Sequence, residues 1–404
     1  MQLLFINRFY YPDESATAQL LTMVAEDLVA EDCGVTIITG QIGYLSAKRL
    51  FGPYERHHGV NVRRVWSTAF GSRLRIGRVA DYLSFYLAAA WAALQRDDID
   101  GMVVWSDPPL LTVLAAGLTR LKGWKTIAWL QDLFPENAVQ AGFLTPRLPA
   151  RVLTRLARWS FRRADHIVVV GRCMKRRLQQ SGLPEERITV IPNWADGVAL
   201  TPVDHHDNWF RKDHTPGGRV VVMYSGHLGV VHDWHSLMHI LRSLRSVSDV
   251  AFIFVCHGPG RDVLETWVRR QGLMNAEFIE YQPQQALRYS LSAADVHLVT
   301  LRTDMAGLSV PSKTYGIMAV GRPIVFIGPK DSEVAMVVMD SGCGEVFGPE
   351  DPDGAAKAIL GLAFDRRRRE QLGSAGRQYF DRFFDRKLAL TRIRSVLRKV
   401  CDQG

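Results

Sequence analysis

Lys313 stands where a lysine is electrostatically misplaced. Pro311 cannot continue a strand and Ser312 is a good N-cap, so residues 310–323 predict a short helix starting at Lys313 and stopping at Gly321, ahead of a strand over 324–327. A cation in the first turn of a helix opposes its dipole by roughly 0.3–1 kcal/mol unless an anion shares that helix end. Ser312 and Lys313 therefore read as a seat for phosphate, against the alternative of a solvated lysine on a surface helix. Two glycine loops follow apolar runs in the same way: Ser225-Gly226-His227-Leu228-Gly229 after 219–224, and Gly258-Pro259-Gly260-Arg261 after 253–255. Glycines let backbone N–H groups approach an anion closely, and Arg261 adds a fixed cation, although either loop alone is also compatible with a plain turn. A third chemistry is suggested by Gln131-Asp132-Leu133-Phe134-Pro135-Glu136, which leaves an apolar run at 126–130 with two carboxylates at one edge. Asp132 is the candidate for orienting a hydroxyl; its alternative is a cap or turn residue.

These loops need strands to hold them. With 404 residues the chain exceeds what one hydrophobic core supports, so two domains are expected. Apolar runs at 3–6, 35–39, 102–105, 126–130, 166–170 and 188–191 alternate with helical patterns, and the alternation restarts at 219–224 and continues through 251–255, 277–279, 296–300 and 324–327. Continuous apolar runs between helices are the mark of parallel strands buried on both faces. The expected fold is α/β, two doubly wound Rossmann-like domains facing a cleft, with ligands beyond the carboxyl ends of the strands. The expected division is 1–200 and 201–383, with a C-terminal helix at 384–404 packing back on the first domain and a polar linker between Asp196 and Gly218. Five scattered cysteines without a Cys-x-x-Cys spacing argue against a disulfide framework or structural zinc, and fit a reducing cytoplasm. The start, residues 1–7, reads as a first strand and not as a signal segment.

Pro-Ser-Lys, a short helix and Ala-x-Gly-Arg-Pro, preceded by Ser292-Ala293-Ala294-Asp295-Val296, resemble the donor-site stretch of bacterial family 4 retaining glycosyltransferases of the GT-B fold, in the branch building colanic acid and O-antigen. Tyr224 to Gly229, Gly258-Pro259-Gly260, Ile191-Pro192-Asn193-Trp194-Ala195-Asp196 and Leu372 to Arg377 match further motifs in family order. The resemblance implies one donor site from Gly226, His227, Gly229, Gly258, Arg261, Ser312 and Lys313 on the diphosphate, with Tyr281 and Gln282 near the nucleobase. It implies an acceptor side from Tyr11, Glu14, Ser15, Ala16 and Thr17 after the first strand, together with Gln131, Asp132 and Glu136. Leu308 and Gly316 stand where the family carries two glutamates, and His227 where it carries an arginine. With no nucleophile evident, the leaving diphosphate itself is expected to take the acceptor proton, with Asp132 and Lys313 as the catalytic pair. The sequence is read as holding no metal cluster of Asp-x-Asp type, so cofactor-free, metal-independent transfer is expected.

One stretch of the chain is strongly basic. Residues 147–177 carry ten basic residues and one acid, against a net charge of +9 for the whole chain. At about 100° per residue, Leu148, Val152, Leu156 and Trp159 share one helix face beside a stripe of Arg151, Arg155, Arg158 and Arg162. That pattern suits an anionic membrane surface; packing against the core with a solvated arginine flank is the alternative, and nucleic acid fits less well because no recognition motif accompanies the charge. The apolar run 85–94 is too short to span a bilayer. The expected protein is thus a peripheral enzyme on the inner face of the plasma membrane, taking a nucleotide-sugar donor and a polyprenyl-diphosphate-linked saccharide. A nucleotide-sugar epimerase of the same architecture and a non-catalytic sugar-nucleotide-binding scaffold are the rival readings.

Overall fold

A computed structural model describes residues 1–13, 15–44, 51–71, 75–145, 148–215 and 218–402. It divides into two units, Met1–Ile191 with Leu390–Gly404, and Pro192–Ala389.

The first unit runs β1 (Gln2–Ile6), α1 (Ala16–Ala30), β2 (Gly34–Gly40), β3 (Tyr54–His57), β4 (Val60–Val65), α2 (Arg75–Leu94), β5 (Gly101–Trp105), α3 (Leu111–Lys122), β6 (Lys125–Leu130), α4 (Glu136–Gln140), α5 (Leu148–Arg163), β7 (His166–Val169), α6 (Arg172–Gln180) and β8 (Ile188–Val190). Its sheet has the order β3-β4-β2-β1-β5-β6-β7-β8, parallel except for β3 against β4. The apolar runs foreseen as strands are its centre: Leu3, Leu4, Phe5 and Ile6 are wholly buried, as parallel strands covered on both faces require. The edge pair β3 and β4 was not foreseen. Tyr54-Glu55-Arg56-His57 and Val60-Asn61-Val62-Arg63-Arg64-Val65 are too charged to read as core strands, yet Arg64 is buried because Glu55 pairs with it at 2.7 Å and the carbonyl of Tyr11 accepts from it at 2.6 Å.

The second unit continues α7 (Trp209–His214), β9 (Val220–His227), α8 (Trp234–Ser243), β10 (Val250–His257), α9 (Pro259–Arg270), β11 (Ala276–Ile279), α10 (Leu287–Ser292), β12 (Val296–Thr300), α11 (Lys313–Ala319), β13 (Ile324–Ile327), α12 (Glu333–Ser341), β14 (Gly344–Phe347), α13 (Pro352–Phe364) and α14 (Arg366–Phe383), after which α15 (Arg386–Cys401) starts in this unit and ends in the first. Its all-parallel sheet has the order β11-β10-β9-β12-β13-β14. Both units are therefore doubly wound α/β sheets, as the alternation of apolar runs and helical patterns requires. The stretch expected as a linker is instead built into the second unit. Asn208 and Phe210 are fully buried, Asn208 Nδ2 donates to the carbonyl of Tyr289 at 2.7 Å, and Arg211 pairs with Asp295 at 2.8 Å. Its polar side chains are partners of the unit and not a solvated connection. Beyond Ala389 the last helix belongs to the first unit, where Arg394 clamps Asp27 of α1 at 2.6 Å.

Candidate functional site

In the second unit, the carboxyl ends of β9, β10 and β11 and the start of α11 bring most of the expected donor residues together. Lys313 is the first residue of α11, and its Nζ lies 3.6 Å from the centre of the Tyr224 ring. It donates to the carbonyl of His227 at 3.3 Å, and among the described residues no carboxylate pairs with it. Burial without a counter-charge holds its ammonium pKa well below the usual lysine value. A cation so placed is stabilised by whatever anion joins it. Gly226, at φ +111°, leaves room for this side chain: a Cβ there would stand 3.3 Å from Lys313 Cε.

The two glycine loops serve a different purpose from the one expected. A Cβ on Gly229 would stand 2.6 Å from His227 Nε2, and one on Gly258, itself at φ +105°, 2.6 Å from His227 Cε1. The glycines thus open a slot for the His227 imidazole. The loop amides are largely spent on each other, Leu228 N on the carbonyl of His257, Gly260 N on that of Leu228, and Arg261 N on that of Gly258. Desolvation, then His257 and Lys313, lower the His227 pKa to about 4, so the ring is neutral at pH 7. His257 lies 4.9 Å from it, and Tyr281 meets His257 edge-on at 5.1 Å.

Two further expectations are corrected. Arg261 is not an open cation: Glu280 pairs with it at 2.6 Å, and this link also ties the start of α9 to the end of β11, where Gln282 donates to the carbonyl of Glu280. Ser312 does not cap α11 through its side chain, because its own backbone is already helical at φ −67°, ψ −18°; Thr314 folds its hydroxyl onto the carbonyl of Pro311 instead. Leu308 is buried at 1% exposure, and Gly316 packs against Leu291 and Leu200, so core contacts occupy both positions of the missing glutamates.

In the first unit the expected acceptor residues scatter more. Ser15 caps α1, accepting from Ala18 N at 3.3 Å, with Ala16 and Thr17 in the first turn. Tyr11 stacks on His57 at 3.7 Å, and Glu14 lies outside the described residues. At the end of β6, the amides of Gln131 and Asp132 donate to Ser106 Oγ at 3.0 and 3.4 Å, which joins that loop to the end of β5. Glu136 opens α4, with Arg158 at 3.9 Å. The residue that sequence reasoning passed over is Asp107. Burial raises its pKa to about 6; Arg8 lowers it, while Asp132 and Asp13 raise it further. The signal was present, since Trp105-Ser106-Asp107 leaves β5 just as Leu130-Gln131-Asp132 leaves its neighbour β6.

Carboxylate clusters elsewhere have other employment. Two Asp-x-Asp triplets exist. In one, Asp98 pairs with Arg96 and Asp100 accepts from Gln2 N; in the other, Asp351 caps α13 and Asp353 pairs with His239. Glu26, His57 and His58 converge closely enough to hold a cation, with Glu26 Oε1 3.1 Å from His57 Nε2 and 2.9 Å from His58 Nδ1. However, the two imidazoles lie nearly parallel, at 18° and 4.2 Å, so their in-plane lone pairs do not converge on one point. On α5, Ala150, Ala157, Ser160 and Phe161 face the core, leaving Leu148, Val152 and Trp159 exposed beside Arg151, Arg155, Arg158 and Arg162.

Comparison with known proteins bears on both halves. A family model described as a glycosyl transferase 4-like domain matches residues 16–194, and one described as glycosyl transferases group 1 matches 205–379. The chain is similar to the probable glycosyltransferase WbjE of Pseudomonas aeruginosa, 28% identical over 64% of this chain and 65% of that protein. It is also similar to the putative colanic acid biosynthesis glycosyl transferase WcaI of Escherichia coli K12, 25% identical over 54% of this chain and 55% of that one. The chain thus spans less than two thirds of the length of either relative. Among solved structures, sucrose-phosphate synthase from Thermosynechococcus elongatus has a TM-score of 0.80 at 14% identity, covering 100% of both chains. Anabaena HepE in complex with UDP and glucose has a TM-score of 0.75 at 17% identity, covering 99% of this chain and 100% of that one. At such identity the likeness is one of fold.

Proposed function

We propose, from a glycosyl transferase 4-like domain and a glycosyl transferases group 1 domain that between them span most of the chain, that this is a family 4 glycosyltransferase of the colanic-acid and O-antigen branch, and that it moves a sugar from a nucleoside-diphosphate donor to a hydroxyl of a polyprenyl-diphosphate-linked saccharide, with retention and without a metal. The observation that carries this reading is Lys313, a desolvated ammonium over Tyr224 with no acidic partner among the described residues. A diphosphate there supplies the missing counter-charge. As the glycosidic bond to the donor breaks, negative charge grows on the leaving diphosphate. An ammonium fixed beforehand stabilises that charge more than it stabilises the ground state, an effect typically worth 10²–10³ in rate. The solved complex of HepE with UDP-glucose supports the donor class. In the first unit, Asp132 orients the acceptor hydroxyl and Asp107, whose pKa lies near neutrality, lies within its electrostatic reach. The exposed arginines of α5 hold the enzyme against the anionic inner face of the plasma membrane, where a lipid-linked acceptor resides.

Replacing Lys313 by Ala tests the reading: calorimetric titration with nucleoside diphosphates is expected to show a large loss of affinity with an unchanged melting temperature, and unchanged affinity overturns it. The absence of a carboxylate at Leu308 and Gly316 favours a second reading, a sugar-nucleotide-binding protein without transfer. Release of free nucleotide only in the presence of an acceptor separates transfer from that reading.

A further inference from the structure

Every position of α2 whose side chain is described and exposed is apolar. Ile76 is 84% exposed, Val79 55%, Leu83 55%, Leu87 74% and Trp91 66%. At 100° and 1.5 Å per residue these five form a stripe about 120° wide and about 22 Å long. Asp81, Phe85, Ala89 and Ala92 point the opposite way, into the core. Phe70, 65% exposed, extends the ridge at its head. It lies over Gly77, where a Cβ would stand 2.8 Å from its own Cβ. Its loop is fixed by the buried carboxylate of Asp81, which accepts from Phe70 N at 3.0 Å, Gly71 N at 2.9 Å and Thr68 Oγ1 at 2.8 Å. A buried charge is thus used to hold an aromatic ring outward.

An uncovered apolar ridge of this length marks a contact surface, and its surroundings select the occupant. The helix α2 packs on α3, and α3 on α5, so the three form one layer. The far helix of that layer exposes Leu148, Val152 and Trp159 among five arginines, and α5 carries no acid at all. The single acid of α2 is the buried Asp81. The layer therefore offers apolar surface and positive charge together, the complement of an anionic bilayer. An isologous contact with a second copy would set the same patch against itself, arginine facing arginine. No helix among the described residues is long and apolar enough to cross a membrane.

We propose that α2, headed by Phe70, is the element that inserts into the membrane interface, lying in its plane with Ile76, Val79, Leu83, Leu87 and Trp91 among the acyl chains while the α5 arginines meet the headgroups. This rests on the peripheral-membrane part of the reading above and is independent of its donor chemistry. Two kinds of attachment then respond differently to salt. Attraction by α5 is screened, whereas apolar insertion is not. Wild-type protein is expected to stay partly bound to vesicles of phosphatidylcholine and phosphatidylglycerol in molar salt, and Leu83→Ser with Leu87→Ser to lower that residual partitioning about tenfold or more. Brominated lipid should quench the tryptophan fluorescence of the wild type, and Trp91→Phe should remove most of that quenching. Nucleoside diphosphate affinity should be unchanged in these variants, so a failure of the donor reading and a failure of this one are told apart. The inference is overturned if the double serine variant partitions as the wild type does in molar salt. It is overturned equally if quenching survives Trp91→Phe and disappears in Trp159→Phe, or if light scattering shows a dimer that the serine substitutions dissolve and vesicles bind neither form.

Discussion

The strand ends of the two units are built from opposite charges. In the second unit, β9, β10 and β11 end in His227, His257 and the Arg261–Glu280 pair, with Lys313 beside them, and among the described residues Lys313 has no acidic partner. In the first, β1, β5 and β6 lead into Arg8, Asp13, Asp107 and Asp132, and burial raises the pKa of the Asp107 carboxyl. On the proposed reading, two sheets of the same kind, each with its loops beyond the carboxyl ends of its strands, take different guests: one an anion, the other a hydroxyl and its proton. What differs is the loop chemistry and not the scaffold.

Substitutions at these ends should sharpen the contrast. The largest effect is expected for Lys313→Ala, which should lower the transfer rate by about 10²–10³, measured as release of nucleotide with acceptor present. Asp132→Asn should follow, with transfer down about 10²-fold and nucleotide affinity unchanged; equal losses in both would make Asp132 a structural residue and erase the distinction between the two ends. Gly258→Ala is a stability change first. Its Cβ would press on the His227 ring from a backbone at φ +105°, so a loss of about 1–3 kcal/mol is expected in chemical denaturation. The smallest effect is one of pH. The Asp107 pKa is raised from its ordinary value to about 6 in the folded protein, so the folded state holds a proton that the unfolded state releases. Its contribution is present below the unfolded value and is lost as pH rises to about 6. Asp107→Asn should flatten that part of the stability profile.

The comparison also explains what the sequence made legible. Parallel strands buried between helices are written as apolar runs, so β1, β2 and β5 to β13 could be read directly. The pair β3 and β4 could not, because the burial of Arg64 depends on Glu55 and on the carbonyl of Tyr11, contacts that no local pattern announces. Lys313 was visible because its position breaks an electrostatic rule. The role of the glycines was not. That Gly229 and Gly258 clear a slot for His227 is a fact about two loops in space, and Arg261 lost its place as a free cation to Glu280, nineteen residues on. Asp107 was missed although it follows β5 as Asp132 follows β6, because its raised pKa comes from burial.

The central claim is that Lys313 lacks a counter-charge until a diphosphate supplies one, and proton uptake on binding tests it most directly. In the free protein its pKa is held well below the ordinary lysine value by desolvation; a bound anion should restore it. Affinity should then be highest below the free-protein value and fall as pH rises toward the bound one, with net proton uptake between. Calorimetry of nucleoside diphosphate binding in buffers of different ionisation enthalpy, from about pH 7 to 10, should show uptake by the wild type that is absent in Lys313→Met. Full-strength binding with the same proton uptake in both proteins would contradict it.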